Sequence, residues 1–301
     1  MLLEAEVRAR LERLRMHSRR RVRALWSGAN PSVRKGESLD FADYREYVPG
    51  DDFRRIDHQL WARLGVLLVR QFEAEEELPI RVVVDVSRSM GFYGKFGTAR
   101  RVAAVVTYLG LSGGDRVQLY SIPGAGDRPL EVGPVGRHLS AWPRLETWLE
   151  TAQLSVGGAE MSPAVRQLAG SGVLRGSLIL VSDLLNEDWG SALDGLRVAG
   201  GGVVLHVLGA EELDPQLAGD LDLVDTETGQ KLPLSTSGAT MNRYRQVLEE
   251  FVTGAQGRAR RSGLDYVLIP ADAVDSRTLD GDDLSSIDRV IDALVSAAVA
   301  R

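Results

Sequence analysis

The chain contains no cysteine among its 301 residues. Disulfide bonds and thiolate metal sites are therefore excluded, and this composition is typical of proteins from a reducing compartment. No uncharged apolar run approaches the roughly 18 residues that a membrane-spanning helix needs. The first residues, 1–6, carry acidic side chains within a short apolar stretch, which argues against a signal peptide. We therefore expect a soluble, cytoplasmic protein without a transmembrane segment.

Several catalytic motifs are also missing. The chain has no Gly-x-x-x-x-Gly-Lys-Ser/Thr phosphate-binding loop, so ATP hydrolysis is not expected. It has no Gly-x-Ser-x-Gly nucleophile motif, and its 4 histidines are not spaced as a zinc pair or as part of a catalytic triad. His206 falls in the middle of a predicted buried strand, where a hydrogen-bonded core histidine is expected rather than a ligand. These absences favour binding over catalysis.

Positive charge is concentrated near the N-terminus. The net charge is −6, but residues 1–70 hold 15 Lys and Arg against 10 Asp and Glu. Much of this excess lies between Arg8 and Arg23, in a segment that also carries an apolar stripe at helical spacing. The stripe consists of Leu3, Val7, Leu11 and Leu14. The simplest interpretation is a surface helix packed on the domain. Peripheral contact with an anionic membrane or an acidic partner is the alternative, and nucleic acid is the least supported partner.

The segment 81–91, with the sequence RVVVDVSRSMG, organises the rest of the chain. A run of valines leads into Asp85, and hydroxyl side chains follow at Ser87 and Ser89, before apolar residues repeat at helical spacing. This pattern predicts a buried strand, a polar loop and an amphipathic helix. The segment 177–183 is a second apolar strand that ends in an Asp, Asp183. Because parallel strands bring their carboxyl ends to one edge of a sheet, both Asp residues can face one cation.

Two interpretations of this loop are open. In the first, Asp85 and the serines only cap the following helix by accepting its free N–H groups. In the second, these oxygen donors hold a hard divalent cation such as Mg²⁺ or Mn²⁺. The pattern Asp-x-Ser-x-Ser with a later strand-Asp resembles the metal-ion-dependent adhesion site of von Willebrand factor A domains. That resemblance implies the ligands Asp85, Ser87, Ser89 and Asp183, and an open coordination position for a partner's carboxylate.

The chain departs from that adhesion-site pattern at Ala159. In the resembled family, a Gly-Gly loop supplies a Thr hydroxyl at this position. Glu160, Ser162 or water is then the expected replacement. A site with fewer ligands should bind Mg²⁺ more weakly.

A second resemblance lies in the segment 41–57, where a Pro-Gly-Asp turn is surrounded by Tyr, Arg and Asp side chains. Together with Ala-Arg-x-Gly at 62–65 and Val-Arg-x-Phe at 69–72, it resembles the signature of the bacterial family domain of unknown function DUF58. Members join this signature to a von Willebrand A-like domain, and they usually have Trp where this chain has His58. A lattice of ion pairs that pins the segment is favoured over catalysis. The signature residues are Tyr44, Arg45, Tyr47, Gly50, Asp51, Asp52, Arg54, Asp57 and Arg63.

Strands and helices alternate along the rest of the chain, which predicts an α/β fold with a mostly parallel sheet. The resemblance implies a von Willebrand A-like, doubly wound, Rossmann-like architecture in a short soluble form. We expect an N-terminal basic helix and signature over 1–74, and the A-like domain over 75–301 with a hairpin insertion near 220–235. An antiparallel edge ribbon is predicted between a strand at 66–69 and the strand that ends at Asp85. A final helix is predicted over 284–300.

Three functional hypotheses follow. The first is a non-enzymatic protein-binding adaptor with an adhesion-type metal site. For it, the family resemblance implies a MoxR-type AAA+ ATPase as partner and a client carboxylate as ligand. The second is a metal-dependent phosphohydrolase in which Asp85 would form an aspartyl-phosphate. Such enzymes need a second carboxylate two residues on, where this chain has Ser87. The third is a scaffold with a vestigial site, because of Ala159.

Overall fold

In the computed structural model, the chain forms two compact units. The smaller, the signature unit, is Asn30–Glu77, and the larger, the sheet unit, combines Met1–Ala29 with Leu78–Arg301. The structure describes residues 2–9, 11–12, 34–35, 41–49, 51, 53, 56–74, 79–123, 128–155, 160–170, 177–199, 202–215, 217, 219–224 and 230–271. Among these residues, no helix is both long enough and apolar enough to cross a bilayer.

The signature unit contains a small antiparallel sheet and a short helix. Its strands are β1 (Arg34–Lys35), β2 (Phe41–Glu46) and β3 (Leu68–Ala74), and its helix is α1 (His58–Leu64). The strands pair in the order β1-β3-β2. Asp57 begins the helix by accepting the N–H groups of Gln59 and Leu60, and Gly65 ends it in the left-handed region with φ of 69°.

The sheet unit is built on a six-stranded sheet that is parallel except at one edge. Its strands are β4 (Ile80–Asp85), β5 (Val117–Ile122), β6 (Glu131–Gly136), β7 (Ser177–Ser182), β8 (Gly202–Leu208) and β11 (Leu264–Pro270). A separate hairpin is formed by β9 (Asp220–Val224) and β10 (Lys231–Ser235). The helices are α2 (Lys95–Gly113), α3 (Trp142–Thr151), α4 (Met161–Gly170), α5 (Trp189–Gly195), α6 (Ala210–Leu213) and α7 (Gly238–Arg261). The predicted α/β class with a mostly parallel sheet is confirmed.

Helices cover both faces of this sheet because strand side chains alternate in direction. Val82 and Val84 belong to the core on one face, with residues of α2 and α3. Val83 belongs to the core on the other face, with residues of α4, α5 and α7. A central apolar run, such as residues 82–84 in β4, is what a strand buried on both sides requires.

The N-terminal apolar stripe packs into the first of these cores. Leu3, Val7 and Leu11 are each buried, and they cluster with residues of α2. Most of the basic segment between Arg8 and Arg23 lies outside the described residues. The predicted domain boundary after residue 74 stays a prediction. In the structure, the signature unit ends at Glu77, and the sheet unit includes the N-terminal residues as well as the chain from Leu78 onward.

The predicted antiparallel ribbon is present, but its strands are paired differently. β3 pairs with β2 and β1 rather than with the strand that ends at Asp85. That strand, β4, has a parallel neighbour on each side, so neither of its edges is available to β3. The hairpin of β9 and β10 matches the predicted insertion. Its turn at 225–229 and the predicted helix over 284–300 lie outside the described residues.

The strand order places a topological switch point at the centre of the sheet. The order is β11-β8-β7-β4-β5-β6, so the chain leaves β4 toward one edge and leaves β7 toward the other. The loops after β4 and β7 therefore diverge, which is where open α/β sheets bind ligands. Asp85 ends β4 and Asp183 follows β7 directly.

Candidate functional site

Asp85 is fully buried at the end of the central strand β4. Its Oδ1 accepts the backbone N–H of Ser87 at 2.9 Å, and its Oδ2 accepts the hydroxyl of Ser182 at 2.6 Å. Ser182 is in reach because β4 and β7 pair in parallel with Val84 opposite Val181, which brings the next residues of the two strands together. Both carboxylate oxygens are therefore oriented by neighbours that the fold positions.

The surroundings of Asp85 favour a compensating positive charge. Burial, and then the nearby charge of Asp183, raise the pKa of its carboxyl to about 6, against the opposing hydrogen bonds from Ser182 and Ser87. In the described contacts, no cationic side chain is bonded to Asp85. A cation beside it would remove this cost.

The two serines of the loop lie together. The Oγ atoms of Ser87 and Ser89 are 3.0 Å apart, Ser87 is buried, and Ser89 is half-buried. Ser87 precedes a short 3₁₀ helix, Arg88–Gly91, without a side-chain capping bond, and the N-cap of α2 is Gly94. The serines therefore do not cap α2, and their hydroxyls remain oxygen donors beside Asp85.

Asp183 is also fully buried, and both of its carboxylate oxygens are engaged. Oδ1 accepts the N–H of Leu185 at 3.1 Å, and Oδ2 accepts the ammonium of Lys95 at 2.8 Å. Its backbone carbonyl lies 2.8 Å from Nε2 of His206. Asp183 thus joins the loop after β7 to both α2 and β8.

Lys95 was not predicted as a site residue. Its side chain is 1% exposed, and its ammonium contacts Oε1 of Glu212 at 2.5 Å as well as Asp183. The other oxygen of Glu212 accepts the N–H of Gly209 at 2.8 Å. One signal was present in the sequence, because Lys95 occupies the same helical stripe as the apolar residues Ala99 and Val102.

His206 is a core histidine, as expected. Its Nδ1 lies 2.5 Å from the hydroxyl of Tyr266, so both ring nitrogens have a partner. Burial lowers the pKa of His206 to about 4, which keeps the imidazole neutral at neutral pH. Its role is to support the loop after β7 through the carbonyl of Asp183.

The residues considered as replacements for the missing Thr are arranged around α4. Ser162 donates its N–H to Oδ2 of Asp188 at 2.6 Å, and Met161 donates to Oδ1 at 3.1 Å. Asp188 therefore caps α4 from a distant loop, and the hydroxyl of Ser162 lies 3.5 Å from the Asp188 carbonyl. Glu160 is exposed, and Ala159 lies outside the described residues.

Four of the described signature residues form two hydrogen-bonded pairs. Arg45 makes two bonds to Asp51, at 2.7 and 2.5 Å, and this contact holds the pKa of the Asp51 carboxyl below its usual value. The Tyr44 hydroxyl donates to Asp57 at 2.9 Å, the residue that also caps α1. Tyr47 is half-buried and Arg63 is exposed in the last turn of α1. Gly50, Asp52 and Arg54 lie outside the described residues.

Large apolar side chains are exposed in the loops that carry the oxygen donors. Phe92, Tyr93 and Leu185 are 39%, 51% and 44% exposed, respectively. Tyr93 and Leu184 adopt left-handed backbone conformations, with φ of 52° and 54°. Non-glycine residues adopt this conformation rarely, and such strain clusters at functional sites. The two loops therefore combine buried oxygen donors with exposed apolar contacts.

The carboxylate and hydroxyl oxygens at this edge of the sheet are the kind of ligand that hard cations prefer. Among the described residues, no three His, Cys, Asp or Glu side chains are grouped so as to hold a metal ion. A cation would therefore depend on the hydroxyls of Ser87 and Ser89 as well as on Asp85. Carboxylate and hydroxyl oxygens are suitable ligands for Mg²⁺.

Comparison with known proteins gives a family and a set of remote relatives. A family model described as "Protein of unknown function DUF58" matches residues 43–252, more than half of the chain. The uncharacterized protein Rv1480 of Mycobacterium tuberculosis is 26% identical over 231 residues, which cover 75% of this chain and 73% of that protein.

Two solved structures are similar to the chain at low sequence identity. The conserved hypothetical protein BatB from Bacteroides thetaiotaomicron is 15% identical with a TM-score of 0.39, over 71% of this chain and 99% of that one. A von Willebrand factor type A protein from Catenulispora acidiphila is 11% identical with a TM-score of 0.40, over 90% of this chain and 52% of that one.

Proposed function

This chain belongs to the family described as Protein of unknown function DUF58, and within that family we propose that it is a protein-binding adaptor with a divalent-cation site at the carboxyl ends of β4 and β7. One observation carries the proposal: a buried carboxylate and paired hydroxyls lie in a loop that also exposes large apolar side chains. Such apolar exposure beside a polar centre is typical of protein-interaction surfaces.

The proposed roles follow from the contacts. Asp85 supplies the negative charge for Mg²⁺ or Mn²⁺, oriented by Ser182 and by the N–H of Ser87. The hydroxyls of Ser87 and Ser89 supply neutral donors, and Asp183 adds a second carboxylate at the same edge. When bound, the cation would offer an open coordination position to an Asp or Glu carboxylate of the partner.

The exposed side chains would extend the contact beyond that single carboxylate. Phe92 and Tyr93 follow the serine loop, and Leu185 follows Asp183. Their exposed apolar area would contact the partner residues that flank its carboxylate, because apolar area leaves water on binding. Specificity would come from the carboxylate and affinity from the surrounding apolar contacts.

We propose a MoxR-type AAA+ ATPase as the partner, with the client of that ATPase as a second ligand. The support is the resemblance of the signature at 41–57 to a family whose genes commonly accompany such ATPases. The proposal places the adaptor in the cytoplasm, where ATP is available to the partner. The adaptor itself is proposed to be non-catalytic, because Ser87 stands where an aspartyl-phosphate enzyme needs a second carboxylate.

Calorimetric titration with Mg²⁺ and Mn²⁺ tests the metal site. We expect saturable binding to the wild-type protein and none to Asp85→Ala. Asp188→Ala is the matched control, because it removes a carboxylate that caps α4 and is not a proposed ligand. Loss of binding in the control as well would indicate general destabilisation.

The partner is tested by measuring binding to a purified MoxR-type ATPase in Mg²⁺ and in EDTA. We expect binding that requires Mg²⁺ and is lost in Asp85→Ala. Binding that is equal in EDTA would contradict the metal-bridged adaptor. Hydrolysis of p-nitrophenyl phosphate by the wild type, lost in Asp85→Ala, would instead establish a phosphohydrolase.

A further inference from the structure

Lys95 places an ammonium group inside the proposed cation site. Its ammonium lies 2.8 Å from Oδ2 of Asp183, and both side chains are 1% exposed. The chain therefore carries its own cation at one of the two carboxylates on this edge. Because water does not screen a buried pair of charges effectively, this contact is strong and also repels a second cation nearby.

We propose that Lys95 competes with the divalent cation for Asp183 and thereby sets the affinity of the site. This inference rests on the proposed function. Oδ1 of Asp183 accepts the N–H of Leu185 and Oδ2 is occupied by Lys95, so direct ligation through Oδ2 requires Lys95 to give up its bond. In the wild-type protein, Asp85 and the serines are then the principal ligands.

Glu212 makes this exchange feasible. Its Oε1 lies 2.5 Å from the Lys95 ammonium, so the ammonium keeps a carboxylate partner when a cation takes Asp183. A buried ammonium without any partner would strongly destabilise the folded protein. Glu212 is itself held by the N–H of Gly209, which keeps its carboxylate at the end of β8.

This competition explains how a site with few ligands is tuned. Because the Lys95 ammonium occupies Asp183, Asp85 is the carboxylate at this edge that has no cationic partner in the described contacts, which favours weak, reversible cation binding. Removal of Lys95 would convert Asp183 into a direct ligand. Removal of Glu212 alone would do the reverse, because the ammonium would then depend entirely on Asp183.

The double variant Lys95→Met with Glu212→Gln gives the sharpest test. It removes one positive and one negative charge, so the net charge of the site is unchanged. It also leaves the buried carboxylate of Asp183 without its ion-pair partner, so a divalent cation can take the place of the ammonium. Since the number of charged ligands tunes cation affinity, we expect calorimetry to show Mg²⁺ binding about tenfold tighter than in the wild type. Glu212→Gln alone should bind more weakly than the wild type. Circular dichroism and thermal unfolding check that each variant is folded.

A third substitution identifies the carboxylate responsible. Adding Asp183→Asn to the double variant should abolish the gain in affinity, whereas it should change the wild-type affinity much less. Equal or weaker Mg²⁺ binding by the folded double variant would overturn the role of Lys95. If the wild type does not bind Mg²⁺ but the double variant does, the role of Lys95 stands and the proposed metal-dependent function of the wild type fails. If neither binds, both are overturned.

Discussion

At the scale of single residues, the imidazole of His206 shows how burial determines protonation at this site. The ring is fully buried between Tyr266 and the carbonyl of Asp183, and it packs edge-on against Phe251. Protonation would place a charge in this apolar setting, so burial lowers the pKa of His206 to about 4. Folding therefore prevents this histidine from taking up a proton that the unfolded chain binds readily.

The stability that the neutral His206 ring contributes should consequently fall in mild acid. The folded pKa of His206 is about 4 and its ordinary value is 6.5, so the unfolded state binds the extra proton between these values. Stability contributed by the neutral ring is complete above the ordinary pKa and is lost as pH falls toward the folded pKa. Between pH 7 and pH 5, we expect His206 to account for a loss of about 2 kcal/mol in the free energy of unfolding.

The measurement is urea unfolding in EDTA at both pH values, for the wild type and for His206→Gln. Asp85 titrates in both proteins, so its opposite contribution cancels in the difference. The exposed His138→Gln is the matched control. If wild type and His206→Gln lose the same amount of stability, the assignment is wrong.

At the scale of elements, the close approach of β7 and β8 depends on a glycine. Gly202 opens β8 with φ of 148°, and a Cβ added there would lie 1.9 Å from the carbonyl oxygen of Leu178 in β7. The backbone of β7 cannot shift away without breaking hydrogen bonds, because β7 is also paired with β4 on its other edge. The pairing that sets Ser182 opposite His206 therefore begins at this glycine.

Gly202→Ala should be strongly destabilising. The clash is with backbone, so we expect a loss of roughly 3 kcal/mol or more in the free energy of unfolding. Gly254→Ala, in the interior of α7, is the matched control. Its added Cβ would meet only a Trp189 ring atom at 3.8 Å, so this change should be neutral or stabilise the protein by about 0.5 kcal/mol. Similar urea midpoints for the two variants would contradict this account of the β7–β8 pairing.

The loop after β7 shows a second feature at the scale of elements: a residue of this loop caps the helix α4. Asp188 precedes α5 and accepts the first N–H groups of α4, 26 and 27 residues away. Such a contact satisfies donors that a helix cannot satisfy itself. It also fixes Ser162 beside α5.

At the scale of the whole molecule, the core of the sheet unit is completed by residues from the far N-terminus. Leu11 is fully buried and Leu3 is 1% exposed, in the same core as α2 and β4. The backbone N–H of Leu2 donates to Glu146 of α3 at 2.8 Å, and Glu12 accepts from Tyr108 of α2 at 2.6 Å. The described N-terminal residues are thus part of the fold.

Leu11→Ala should therefore destabilise the sheet unit by about 2–5 kcal/mol, because it removes buried methyl groups and leaves a cavity. Leu64→Ala is the control of identical chemistry in the signature unit, where Leu64 is 60% exposed, and it should change stability by less than about 0.5 kcal/mol. Urea unfolding measures both. A small effect at Leu11 would mean that the N-terminal residues only rest on the surface.

The sequence by itself determined the strand and helix alternation, the hairpin insertion and the position of Asp85 and Asp183 at one edge. These features depend on local periodicity and on the rule that parallel strands share their carboxyl ends, both of which are visible in the order of residues. The buried role of His206 followed in the same way, from its place within an apolar strand. Local patterns of this kind predict elements and the edge to which their loops belong.

Only the tertiary structure decided which side chains surround those carboxylates. Lys95 reaches Asp183 across 88 residues and Glu212 across 117. The register of β4 and β7 brings Ser182 to Asp85, and the two parallel neighbours of β4 exclude the predicted pairing with β3. The physical reason is that these contacts are set by strand order, register and the packing of α2 on the sheet. The periodic pattern of α2 indicates that Lys95 faces the core, but it does not indicate which distant carboxylates Lys95 contacts there.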